Sequence, residues 1–137
     1  MPASTTLLND GNTLPVVDGE ARKALAENVK KLMDDRGWNE TQLEAKSGAA
    51  QRTINNLLKP ERGISPTWGT IEKIAEALDV EPWMLTIPGI PLDLLKNRSL
   101  ARLVTCYVQA DEKGREDTLR IAEIAVRYLD PNQKQAG

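Results

Sequence analysis

The stretch from Asn39 to Leu58, NETQLEAKSGAAQRTINNLL, constrains this chain more than any other. It reads as two short helices joined by a tight turn at Gly48. Asn39 is a good helix cap, because its side-chain oxygen can accept a free backbone N–H of the first turn. Gln42, three residues on, can reach back to that cap, and Trp38 and Leu43 hold the two positions of a hydrophobic staple across it. Gly48 ends the first helix, where a left-handed turn costs a glycine almost nothing. Helical phase resumes with Ile54, Leu57 and Leu58 on one face and Gln51, Arg52, Asn55 and Asn56 on the other. A generic solvated face would mix in Glu and Asp. This one has no acid, and its residue types are those that pair with base edges: Arg with guanine, Asn or Gln with adenine.

The charge pattern agrees locally, not globally. The chain carries a net charge of −2, so no overall basic field points to nucleic acid. From Lys46 to Arg62, however, four ionised residues are positive (Lys46, Arg52, Lys59, Arg62) and one, Glu61, is negative. A basic patch is what a DNA binder needs. Length suggests one domain, or one domain with a small appendage. With no histidine and one cysteine, Cys106, a zinc finger, a histidine-based triad and a disulfide framework within the chain are excluded. No apolar run is long enough to span a bilayer, and the N-terminus lacks a signal-peptide pattern. The expectation is a cytoplasmic protein with no metal, no cofactor and no membrane partner.

In chain order, residues 1–18 read as a flexible arm rich in Ser, Thr, Asn, Gly and Pro, in which Leu7, Leu8, Val16 and Val17 can dock. Asp18 is expected to cap a helix from Gly19 to Arg36, with Leu25, Val29, Leu32 and Met33 as its core stripe and Gly37 as its stop. Its charged residues, Arg22 and Lys23 among them, read most simply as a solvated face. Residues 59–66 form a loop whose Lys59 and Arg62 lie just past the reading helix, where a phosphate strand would pass. Thr67 caps the next helix, through about Leu78, with Ile71, Ile74, Ala75 and Leu78 inward and Trp68 over the core edge. Glu81 and Pro82 start a short helix anchored by Trp83 and Leu85. Ile87-Pro-Gly-Ile-Pro91 is the expected domain boundary. Beyond it, Leu94, Leu95, Leu100, Leu103, Val104, Tyr107 and Val108 follow helical spacing. Asp111 can cap a last helix carrying Leu119, Ile121, Ala122, Ile124, Ala125, Tyr128 and Leu129. Two such helices make a hairpin over 91–130. An isolated hairpin cannot bury both apolar faces, so it must pack on the first domain or on a second copy, the latter being favoured. Residues 131–137 are the tail.

Residues 20–86 resemble the helix-turn-helix domain of the phage repressor and Cro type, the XRE family. The matching features are Leu43, Gly48, Thr53 and Ile54 around the turn, and TIEKIAEAL from Thr70 to Leu78 followed by VEPWML. The resemblance covers about half of the chain. It implies an all-α fold: a five-helix domain over 19–87 whose third helix enters the major groove, followed here by the helical hairpin. It also implies base contacts from Gln51, Arg52 and Asn55. Thr53, Asn56, Lys59 and Arg62 are the expected phosphate contacts. The chain departs from the family where Glu40 replaces a usual Gln, Glu44 a usual Ala, and Ala49-Ala50 a usual Val-Ser. Glu44 must then turn outward or pair with Lys46 or Arg52, and Ala50 is a poor cap for the reading helix.

The expected function is a dimeric, sequence-specific DNA-binding transcriptional regulator that represses by occupying a palindromic operator, with double-stranded DNA and a second copy as partners. An antitoxin of the same fold, which also masks a toxin protein, is the alternative; an antirepressor is a further candidate partner. A protein-interaction module is disfavoured, because the Gln-Arg-Asn-Asn face is too polar for a typical hot spot. An enzyme is disfavoured as well. Asp34-Asp35 and the acids Asp111, Glu112, Glu116 and Asp117 read as helix-end charges, and no glycine-rich phosphate loop or metal spacing accompanies them.

Overall fold

The structure is a computed structural model and describes residues 19–127. The arm over 1–18, the Asp18 cap, Tyr128, Leu129 and the tail over 131–137 lie outside the described residues. Among the described residues there are seven α-helices and no strand: α1 (Gly19–Arg36), α2 (Glu40–Ser47), α3 (Gln51–Leu58), α4 (Trp68–Leu78), α5 (Leu92–Lys96), α6 (Ser99–Gln109) and α7 (Glu112–Arg127). Two 3-10 turns, Pro60–Arg62 and Pro82–Thr86, join them. The chain divides into two compact units between Lys96 and Asn97.

In the first unit, α1 supplies the central stripe. Leu25, Val29, Leu32 and Met33 are buried, together with Ala24 and Ala26. Full burial stabilises a Leu or Val side chain by about 1.5–3 kcal/mol relative to exposure. The stripe packs against α3 and against the Pro82–Thr86 turn, while α2 packs on α3 and α4. Leu43, Ile54, Ile74, Leu78 and Leu85 meet in this core, each with no exposure. Helix α4 buries the four expected residues, Ile71, Ile74, Ala75 and Leu78. Its cap is Thr67, whose hydroxyl accepts from the Thr70 N–H.

Four polar side chains of α1 fasten the end of α4 and the segments that follow it. Buried Asn28 donates to the Leu85 carbonyl at 2.8 Å and the Ile87 carbonyl at 2.9 Å. Lys31 donates to the Ile90 carbonyl at 2.7 Å. Arg36 donates to the Leu78 carbonyl at 2.7 Å, satisfying a carbonyl at the end of α4. Asp35 pairs with Lys96 at 3.1 Å.

Ile90 and Leu95 are buried and α5 packs on α1, so residues 91–96 lie in the first compact unit. Two expectations need correction. Trp68 does not cover the core; it is 52% exposed at the first position of α4. The Pro82–Thr86 turn is anchored by Met84 and Leu85, with Trp83 only half-buried.

The second unit consists of α6 and α7, which contact each other across the Ala110–Asp111 corner. The Asp111 carboxylate accepts from the Gly114 N–H at 2.8 Å and caps α7. A side chain at Gly114 would meet the Ala110 methyl at 3.1 Å, so the corner favours glycine there. Arg115 reaches back to the Tyr107 and Val108 carbonyls at the end of α6. Lys113 and then Arg120, both beside Asp117, hold its carboxyl below the usual carboxylate range. Neither helix has a buried residue.

Candidate nucleic-acid interface

The turn between α2 and α3 is built locally. Asn39 Oδ1 accepts from the Gln42 N–H at 2.9 Å, and Gln42 Oε1 accepts from the Asn39 N–H at 2.8 Å, a complete capping box. Gly48 closes α2 at φ 77°, and its N–H donates to the Glu44 carbonyl. That left-handed conformation is what an L side chain resists. Ala50 opens α3 without a side-chain cap. Two features hold the turn nevertheless: the Ser47 hydroxyl accepts from the Ala49 N–H at 3.1 Å, and Ala49 is buried.

Helix α3 is strongly two-sided. Ile54, Leu57 and Leu58 are buried, Gln51 and Arg52 are exposed at its start, and Thr53, Asn55 and Asn56 are half-buried. Lys59 is exposed just past its C-terminal end, and Arg62 is exposed in the 3-10 turn that follows. Arg62 Nη1 donates to Asn55 Oδ1 at 2.5 Å and to Asn56 Oδ1 at 3.1 Å. Asn55 Nδ2 in turn donates to Glu40 Oε1 at 3.2 Å. Beside α3, Thr53 and Asn56 line a shallow cleft with Ser65, Thr67 and Thr70. Arg22 of α1 donates to the Ser65 hydroxyl at 3.1 Å, so it braces this loop instead of being merely solvated. Lys46 lies 5.9 Å from the centre of the Trp38 ring, with Arg36 also over that ring at 5.0 Å.

Comparison with known proteins shows what this arrangement is similar to. Residues 28–83 match the family model of the Cro/C1-type HTH DNA-binding domain. The chain is also similar to the crystal structure of the hypothetical transcription factor NHTF from Neisseria, at 28% identity and a TM-score of 0.46, over 63% of this chain and 93% of that one. No match was found among curated proteins.

The matched residues include α2 and α3, and the match supports a DNA-binding regulator. Gln51, Arg52, Thr53, Asn55 and Asn56 lie on α3, with Lys59 and Arg62 directly after it. Asn55, Asn56 and Arg62 are joined by hydrogen bonds, whereas Gln51, Arg52 and Lys59 stand exposed beside them. Sequence reasoning missed Glu40 as a member of this cluster, and elsewhere in the first unit it missed Asn28 as the buried tie to the Leu85 and Ile87 carbonyls. Asn28 left a signal, a polar residue in register with Leu25, Val29 and Leu32. Glu40 left none, because its partner is fifteen residues away on another helix. Among the described residues, no group of three or more His, Cys, Asp or Glu is placed to hold a metal ion, and no helix is long and apolar enough to cross a membrane.

Proposed function

We propose that the chain is a sequence-specific transcriptional regulator that binds a palindromic operator as a homodimer and represses by occupying it. The observation that carries this reading is the outer face of α3, whose polar side chains are only Gln, Arg, Thr and Asn, within a Cro/C1-type domain. Arg52, Gln51 and Asn55 make the base contacts: Arg pairs bidentately with guanine, and Asn or Gln with adenine. Thr53, Asn56, Lys59 and Arg62 contact phosphates, which set register and make affinity fall with salt. The hydroxyls of Ser65, Thr67 and Thr70 beside Thr53 add donors along the same flank.

Dimerisation falls to α6 and α7. Leu103, Val104, Tyr107 and Val108 on α6 line an apolar groove with Leu119 and Ala122 of α7, and Ile121, Ile124 and Val126 of α7 are exposed as well, on two helices without a buried residue. A second copy laid on this surface makes a four-helix arrangement with a core. Two reading helices related by a two-fold axis then meet half-sites about 34 Å apart.

The same surface also fits the antitoxin alternative, in which a toxin protein covers it in place of a second copy. Selection from random duplex DNA separates these readings. A regulator of the proposed kind enriches a two-fold symmetric motif with half-sites about one helical turn apart. Enrichment of no motif removes sequence-specific binding. Enrichment of a single, unpaired half-site removes the dimer.

A further inference from the structure

Asn55 is held from both sides by groups of opposite character. Glu40, at the start of α2, has a carboxylate that only accepts hydrogen bonds, and it takes one from Asn55 Nδ2 at 3.2 Å. Arg62, beyond the end of α3, has a guanidinium that only donates, and it gives one to Asn55 Oδ1 at 2.5 Å. A carboxamide has two orientations related by a half-turn. Here only one of them satisfies both neighbours, because the other would set the amide N–H against guanidinium and its oxygen against carboxylate. The chain of contacts runs on from Arg62 to Asn56 Oδ1 at 3.1 Å, so the guanidinium is itself held against α3 by two side chains.

The consequence concerns reading. Adenine presents N7 as an acceptor and N6 as a donor, so an Asn recognises it bidentately only with its amide the right way round. A freely turning amide must be ordered when it binds, whereas one already held loses less freedom. We propose that Glu40, through Asn55, is a specificity-determining residue: it positions the Asn55 amide, with Arg62 as the opposing clamp, and touches no base itself. This rests on the reading of Asn55 as a base contact given above. It also gives the acid at position 40, a departure from the family pattern, a task other than the phosphate contact that a neutral side chain could make there.

The test is a base-preference profile, measured by competition between the selected operator and duplexes bearing every single base-pair change. The full-length chain is compared with Glu40→Ala, Glu40→Gln and Asn55→Ala. Asn55→Ala first marks the base pair that Asn55 reads, by flattening the preference there. Glu40→Ala should then flatten the same base pair by about tenfold, within the range for one bidentate contact, and leave the others. The Glu40→Ala/Asn55→Ala pair should add nothing further at that position. Glu40→Gln keeps an acceptor for Asn55 Nδ2, so it should keep the preference while strengthening all duplexes alike through loss of a negative charge. A Glu40→Ala profile that is unchanged, or lowered equally at every position, overturns the proposal and leaves Glu40 as a surface charge or a purely structural residue. Loss of the preference in Glu40→Gln as well overturns it too, since the acceptor would then not be what matters. Two results strike the underlying reading instead. A wild-type profile with no preference anywhere ends sequence-specific binding, and a wild-type profile that Asn55→Ala leaves intact ends the base contact; the positioning role falls with either.

Discussion

The side-chain amide of Asn28, buried in the middle of α1, donates to the main-chain carbonyl of Leu85 at 2.8 Å. Its other hydrogen goes to the Ile87 carbonyl at 2.9 Å, so one side chain satisfies two carbonyls of a turn that no regular helix would satisfy. This tie fixes the end of the Pro82–Thr86 turn against the helix that carries the core.

Replacing Asn28 by Ala should therefore cost more than the loss of one hydrogen bond, because two carbonyls lose their partner, one of them buried and one half-buried. The expected loss is at least about 1–3 kcal/mol, the cost of leaving the buried Leu85 carbonyl unsatisfied, with a smaller addition from the half-exposed Ile87 carbonyl. Urea denaturation followed by helical signal measures it. A change under about 0.5 kcal/mol would mean that water reaches the turn and replaces the amide.

Gly48 adopts φ 77° at the joint between α2 and α3. Gly48→Ala should destabilise the domain by about 1–2 kcal/mol, the penalty of a left-handed L residue, and the void around the position offers no clash to add to it. Thermal unfolding checks this. An unaltered midpoint would show that the joint relaxes to another turn.

Much of this architecture could be read in the chain because it is written in neighbours. The Asn39–Gln42 capping box, the Gly48 stop and the α3 face of Ile54, Leu57 and Leu58 each depend on residues a few positions apart, and each stands as read. Helix α1 keeps the bounds Gly19–Arg36 that Gly37 implied. What escaped the sequence depends on distant partners. Pro88, Gly89 and Pro91 look like a linker, yet Lys31 holds the Ile90 carbonyl and Leu95 fills a place on α1. Trp68 has the composition of a core residue and the exposure of a surface one. The bond from Asn55 to Glu40 joins two helices whose relative placement no local pattern encodes.

The boundary after α5 gives a prediction about where the chain can be cut. A chain ended after Arg98 keeps Ile90 and Leu95 and should remain folded, but as a monomer on analytical ultracentrifugation. One ended after Ile90 also loses buried Leu95, and should be less stable by at least about 1.5–3 kcal/mol, the worth of that burial. A dimer persisting without α6 and α7 would place self-association elsewhere.

Lys59 and Arg52 should separate in their effects on DNA. Lys59→Ala is expected to weaken binding to all sequences alike and to lower the salt slope by about one unit, as loss of a phosphate contact does. A loss confined to particular sequences would give Lys59 a reading role.

Arg52→Ala is expected to cost about 1–3 kcal/mol on the operator and to relax one base preference, with little effect on random DNA. Equal losses on both DNAs would demote it to a phosphate contact.

The central claim is that the outer face of α3 reads DNA sequence. The most direct measurement is equilibrium binding of the full chain to its selected operator and to a scrambled duplex, at two salt concentrations, beside the Arg52→Ala/Asn55→Ala variant. The account predicts tight, salt-sensitive binding that prefers the operator, and a variant that binds both duplexes weakly and alike. Equal binding of the two duplexes by the unaltered chain, or an undiminished preference in the variant, would contradict it.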